Sequence, residues 1–396
     1  MNLNDTTKQF IRDNLNVDVP TLALRKAPVG TEFSLALRQI EARQLLQKKV
    51  PEWCDNEDLL FPAHLSIEQC SSEATARYKT KLLQGLSLAD LTGGLGVDTY
   101  FLSRSFQQTD YVERQPELCD LAKHNFAVLK AHIKVWNETA EDYLFRCGHK
   151  DCLYLDPARR DIYGRKTINI GDCTPDVLAL QDLFFQKADN IMVKLSPMLD
   201  ISKAFEELKQ VKEVHVLAVN NECKELVFLM RRGFEGRPTL FAANLLTNQP
   251  VVNFTFSEEH DCPLHIADHI GQYLYEPNAA LMKAGCYKLL AERYGVFKLH
   301  KNSHLYTSET LVPDFPGRIF SVEGSVAYNK KVKNTFLSDV DKANLAVRNF
   351  PLSVEALRKT LKIKEGGDTY LFATTLRNEE RVIVRTKKSA SNGSGS

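Results

Sequence analysis

Residues 86–98 read LSLADLTGGLGVD: an apolar run closes on Asp90, and Gly93, Gly94 and Gly96 fall within four positions. Glycines allow a backbone to approach a ligand that a side chain would fend off. The acid before them can pair with a ligand's ammonium group. Glu113 ends the run TDYVE, 17 residues after Gly96. A carboxylate there can accept from both hydroxyls of an adenosine ribose. A third polar group, Asp156-Pro157-Ala158-Arg159-Arg160, follows the apolar run CLYL. Three readings fit the glycine turn: a dinucleotide phosphate cradle, a site for S-adenosylmethionine (SAM), or a tight turn with no ligand. A dinucleotide turn asks for a small last residue in G-x-G-x-x-G/A. Counted from Gly94, that place holds Thr99.

These groups need elements that bring them to one edge. From Leu86 onward, strand-like and helix-like runs alternate: LSLADL, VDTYFLSRSF, TDYVER, PELCDLAKHNFAVL, IKVWN, AEDYLFRC, DCLYLDP, DVLALQDLFFQK, NIMVKLSP and ISKAFEELKQ. Such alternation predicts a parallel sheet covered by helices, with ligands beyond the carboxyl ends of its strands. The alternation then breaks into EVHVLAVN and CKELVFLMRR, joined only by NEC, which predicts a hairpin. TLFAANL and VVNFTFS read as further strands. Ahead of the sheet, residues 1–84 read as helical, with one helix stopping at Pro51 and another running through SIEQCSSEATARYKTKLLQG to a closing Gly85.

The chain has 396 residues, a length that predicts two or three domains. Lys plus Arg number 51 against 50 Asp plus Glu, so any surface for nucleic acid must be local. Such an excess occurs in residues 321–388, with 14 basic and 8 acidic side chains. Nine cysteines form no C-x-x-C pair, which favours reduced thiols. The polar start and the lack of a long apolar run predict a soluble, cytoplasmic protein without a membrane span.

The ordered motifs resemble the class I SAM-dependent methyltransferases. DLTGGLGVDT looks like their first motif in RNA-modifying members, and DPAR stands where amino-methylating members carry N/D-P-P-Y/F/W. The resemblance implies an α/β fold: a seven-stranded Rossmann-like sheet with an antiparallel terminal hairpin, a helical N-terminal region and small α+β C-terminal modules. It assigns SAM to Asp90, Thr92, Gly93, Gly94, Gly96, Asp98, Glu113 and Ala140. It places the methyl acceptor at Asp156, the Pro157 carbonyl and Arg159, with Ala158 in place of the second proline and Arg159 in place of the stacking aromatic. Tyr163 is a candidate for the missing ring, and Ser72, Thr75 or Lys79 for further cofactor contacts.

ARQLLQKKVPEW, FPAHLSIEQCSSEATARYK, LDPARR and YLYEPNAALMKAG extend the resemblance to a narrower bacterial group. It implies a helical region over 1–84, a methyltransferase domain over 85–258, a ferredoxin-like module over 259–320, a THUMP-like domain over 321–388 and a disordered tail over 389–396. RNA is the implied partner, with an exocyclic base amine (guanine N2 or adenine N6) as acceptor. The alternative is a catalytically silent RNA-binding protein with the same fold. No metal is expected: HDCPLHIADH (His260, Asp261, Cys262, His265, Asp268, His269) and CGHKDC lack zinc-ligand spacing.

Overall fold

The computed structural model describes residues 3–62, 70–159, 169–329 and 331–389, without the side chain of Arg159. The chain divides into two compact units, one of residues 1–214 and 225–236, the other of 215–224 and 237–396.

The strands run in chain order as β1 Gly85–Asp90, β2 Phe106–Glu113, β3 Ile133–Asn137, β4 Lys150–Leu155, β5 Ala158–Arg159, β6 Cys173–Thr174, β7 Ala188–Leu195, β8 Val211–Val219, β9 Glu222–Arg231, β10 Thr239–Leu245 and β11 Val252–Thr255. The large sheet has the order β11-β10-β8-β9-β7-β4-β1-β2-β3. β3, β2, β1, β4 and β7 are mutually parallel, and β9 runs antiparallel to β7. Asn220 and Asn221, with φ of 50° and 65°, form the left-handed link between β8 and β9, a conformation that asparagine tolerates. Nine strands replace the expected seven. β8 has backbone groups to satisfy on its outer edge, and β10 takes them, with β11 beyond it.

The register aligns the site. Asp90 is level with Tyr111 and Tyr154, Glu113 with Asn137, and Leu155 with Val193. Asp90, Glu113, Asp156 and Lys194 therefore all fall at the carboxyl ends of adjacent strands. Central β4 and β7 are largely buried, which is why both read as apolar runs, with Lys194 the charge inside the second.

Helices Asp5–Asn14, Val19–Ala23, Phe33–Leu46, Pro51–Cys54 and Glu73–Lys79 precede β1. Trp53, Leu46 and Phe61 share one core with Leu95, Val97, Phe101, Tyr111 and Phe126, so this region packs on the glycine turn and its helix. The buried Arg43 fixes the chain end of that packing by donating to the carbonyls of Cys54, Asn56, Glu57 and Leu59. The helix expected to close at Gly85 ends at Lys79, and Gly85 opens β1. Residues 66–69 of that expectation lie outside the described residues.

In the other unit, β12 Tyr273–Pro277, β13 Phe297–Lys298, β14 Tyr306–Ser308, β15 Gly317–Ala327, β16 Asn344–Arg348, β17 Thr369–Thr375 and β18 Arg381–Lys388 form a sheet ordered β13-β14-β12-β15-β18-β17-β16. β15 pairs with β12 on one side and β18 on the other, so the expected boundary at 320/321 falls within a strand. Helix Val354–Leu361 makes the crossover that the parallel β16–β17 pair requires. No described helix is long and apolar enough to cross a membrane.

Candidate active site

The glycine turn is held from three sides. The Gly93 N–H donates to the Val112 carbonyl at 2.9 Å, and the Tyr111 hydroxyl donates to the Gly94 carbonyl at 2.7 Å. A Cβ on Gly93 would lie 2.2 Å from the buried Tyr111 ring, so this glycine makes room for the protein itself. Gly96, at φ 85°, starts helix Val97–Leu102 in the left-handed region. Gly94 differs: a Cβ there would meet nothing closer than the Thr92 carbonyl at 3.7 Å, so its face is open. This open cradle fits the close approach of a cofactor backbone.

Glu113 closes the cradle. Its Oε2 accepts from the Gly94 N–H at 3.0 Å and its Oε1 from the Gln115 N–H at 2.9 Å. Each oxygen keeps a further lone pair for a ribose hydroxyl. Ala140 is buried at the start of helix Ala140–Arg146, just beyond β3. Glu113→Ala is expected to weaken S-adenosylhomocysteine binding about 10- to 100-fold, matching the roughly 1.5–3 kcal/mol of a hydrogen bond to a charged group. Calorimetry checks this.

Asp90 is turned inward and is 1% exposed. It accepts from the Thr92 N–H at 2.9 Å and the Thr99 hydroxyl at 2.5 Å. Burial pushes its carboxyl up to about 7, against those two bonds, which favour the ion. Thr99, the residue that departs from the dinucleotide pattern, thus serves Asp90. Thr92 is half-buried, and its hydroxyl accepts from the Asp156 N–H at 2.6 Å, tying the glycine turn to the DPAR segment.

Around Asp156 lies a cluster of charges of which sequence reasoning named Lys79, Asp98 and Asp156 but missed Lys194 and Glu225. Lys194 Nζ donates to Asp156 Oδ2 at 2.5 Å and to Ser71 Oγ at 3.2 Å. Lys79, fully buried, stands 2.7 Å from Asp98 and 3.0 Å from Glu225. Ser71 and Tyr154 donate to Asp98 Oδ2 at 2.7 and 2.6 Å. Burial alone would lower the Lys194 ammonium, but Asp156, Glu225 and Asp98 outweigh it and hold it above the ordinary lysine range. Burial likewise opposes ionisation of Asp98, and Lys79 and Lys194 reverse that, keeping it below the usual carboxylate range. Two ammonium groups and three carboxylates thus sit together: Lys79 and Lys194 with Asp98, Asp156 and Glu225. The available signal was a lysine inside the apolar run MVKL and a glutamate at the head of the apolar run ELVFLM.

Asp98 and Lys79 belong to this cluster, and Asp98 faces it from the first turn of the helix after the glycines. Ser72 caps helix Glu73–Lys79 by accepting from the Thr75 N–H. Pro157 is buried and Ala158 exposed. The Arg159 backbone pairs with Cys173 in the two-stranded β5–β6 ladder. Its side chain, Arg160 and Tyr163 lie outside the described residues.

The histidine-rich segment is dispersed. His265 meets Glu292 at 2.6 Å, Asp268 meets Arg377 at 2.6 Å, and His269 meets Glu309 at 2.9 Å. Among the described residues, no group of three or more His, Cys, Asp or Glu could hold a metal ion. Part of the basic excess near the C-terminus is paired internally: Arg385 with Asp339 and Glu323, and Lys387 with Glu323.

Residues 273–316 match a ferredoxin-like domain family and residues 317–387 a THUMP domain-like family. The crystal structure of a Porphyromonas gingivalis W83 protein described as a methyltransferase is 34% identical, covers 97% of this chain and 98% of its own, and superposes with a TM-score of 0.85. An uncharacterized SAM-dependent methyltransferase of Mycobacterium tuberculosis H37Rv is 23% identical over 304 residues, 76% of this chain and 80% of the relative. With this fold, this turn and near full-length likeness to the Porphyromonas protein, the chain belongs to the SAM-dependent methyltransferase family.

Proposed function

We propose that this enzyme methylates RNA, with SAM held over Gly94 by Thr92, Glu113 and Ala140 and the acceptor presented at Asp156. Bound SAM supplies an electrophilic methyl group on a sulfonium sulfur. The protein's task is then to bring an acceptor into line and handle its proton. The link from Thr92 to Asp156 supports this, because it couples the cofactor turn to the acceptor motif at fixed spacing. The RNA part of the reading is carried by the THUMP domain-like match over residues 317–387 in the same chain as the methyltransferase fold.

Mass spectrometry of RNA nucleosides from cells with and without the gene tests this. Loss of one methylated nucleoside in the deletion, restored by the wild-type gene, is the expected result. Identical nucleoside profiles would overturn it.

A further inference from the structure

We propose that the methyl acceptor is a hydroxyl oxygen, which on an RNA substrate is the ribose 2′-hydroxyl, and that Asp156 and Lys194 handle its proton and charge. This rests on the RNA reading above and names the acceptor atom within it, in place of the base amine that the DPAR segment suggests.

The electrostatics of the crevice carry the argument. A base amine attacks as a neutral nitrogen and carries positive charge until a proton leaves. A site for it stabilises that charge with carboxylate or carbonyl oxygens unopposed by a cation. Here the Asp156 carboxylate has an ammonium 2.5 Å away. Lys194 is buried to 11% side-chain exposure and surrounded by carboxylates, so the cation is built in. A hydroxyl has the opposite need. Its oxygen is a weak nucleophile until its proton is drawn away, and a nearby cation stabilises the negative charge that builds on it before the C–O bond forms.

The donor count agrees. A lysine ammonium has three N–H donors. Asp156 and Ser71 take two on Lys194, leaving the third for an acceptor oxygen. Asp156 keeps 33% side-chain exposure, so the pair reaches the crevice. At position 159, where amino-methylating enzymes stack an aromatic on the base, the chain has arginine.

The step balances. The acceptor oxygen's lone pair forms the new C–O bond as the C–S bond breaks, and the electrons of that bond stay on sulfur. The hydroxyl proton passes to the Asp156 carboxylate as attack begins, ahead of C–O bond formation, and then to water. Lys194 stays charged throughout, donating to the developing oxyanion and fixing the carboxylate.

The test labels RNA from cells lacking the gene, using the full-length enzyme and SAM with a tritiated methyl group, and then hydrolyses it in alkali. A ribose 2′-O-methyl group blocks alkaline cleavage of the adjacent phosphodiester, so the expected label runs as alkali-resistant dinucleotides. Label in mononucleotides, with the methyl on the base, would overturn the hydroxyl acceptor and leave the RNA reading standing. No label in RNA, from enzyme that still binds S-adenosylhomocysteine, would overturn both. Lys194→Met is expected to lower transfer about 10-fold or more with cofactor affinity unchanged, and Lys194→Arg to restore most of it through the retained cation. Equal activity of the methionine and arginine variants would remove Lys194 from the chemistry.

Discussion

Replacing Lys79 by methionine is expected to destabilise the protein by about 3–5 kcal/mol, the size of the penalty for leaving a buried charge without its partner. Lys79 is fully buried and lies between Asp98 and Glu225, themselves 8% and 3% exposed. Methionine fills similar space but removes the ammonium between Asp98 and Glu225, leaving the charge of Lys194 and the Ser71 and Tyr154 hydroxyls against them. Urea unfolding at pH 7 reads the effect as a lower midpoint with an unchanged slope. Adding Glu225→Gln should recover part of the loss, because it removes one of the stranded carboxylates. A Lys79→Met midpoint equal to wild type would mean that the cluster does not hold the fold. Cofactor binding should weaken alongside, since Asp98 sits in the first turn of the helix that follows the glycines.

Asp156→Asn is expected to cut methyl transfer by roughly 10²- to 10⁴-fold, the usual contribution of a positioned proton acceptor, while leaving S-adenosylhomocysteine affinity within about threefold. Asparagine keeps the shape, and the bond from the backbone N–H of residue 156 to Thr92 is unaffected. What it lacks is a lone pair basic enough to take a proton at neutral pH. The substitution is discriminating because amino-methylating relatives of this fold use asparagine or aspartate at this place. An enzyme that only orients an amine would tolerate the change. Single-turnover rates at saturating SAM, with calorimetry on the same preparation, separate loss of transfer from loss of binding.

The sequence made the parallel half of the sheet legible because its strands obey simple rules. IKVWN was read at its observed bounds, 133–137, and Glu113 at the end of β2, since apolar runs alternate with capped helices. The glycine turn was legible for the same reason: a dense glycine motif after a strand has few physical explanations. Its details were not. Gly93 is glycine because of the Tyr111 ring, a contact made across strands and invisible in a linear motif. Asp90, expected to face an ammonium group, also accepts from Thr92 and Thr99 within its own turn, contacts that no linear motif displays.

The charge cluster was the larger omission. Lys194 was read as one residue of a strand, since a lysine at a strand position is most often solvated. Only the packing of β7 beside β4 brings it onto Asp156, 38 residues earlier. Glu225 comes from β9, 146 positions after Lys79, and meets it because the hairpin returns antiparallel to β7. Interactions of this kind depend on sheet order, which no local pattern specifies. The nine-stranded count has the same origin: TLFAANL and VVNFTFS read as strands, but the attachment of the first to the edge of β8 and of the second to the first is a tertiary choice.

The central claim is that one crevice couples the glycine turn to methyl transfer onto RNA at Asp156. Its most direct test is incubation of RNA from gene-deleted cells with the wild-type enzyme and SAM carrying a deuterated methyl group, followed by nucleoside mass spectrometry. One nucleoside gaining the deuterated methyl with wild-type enzyme, and not with Asp156→Asn, is the predicted result. No labelled nucleoside from a folded enzyme that binds S-adenosylhomocysteine would contradict it.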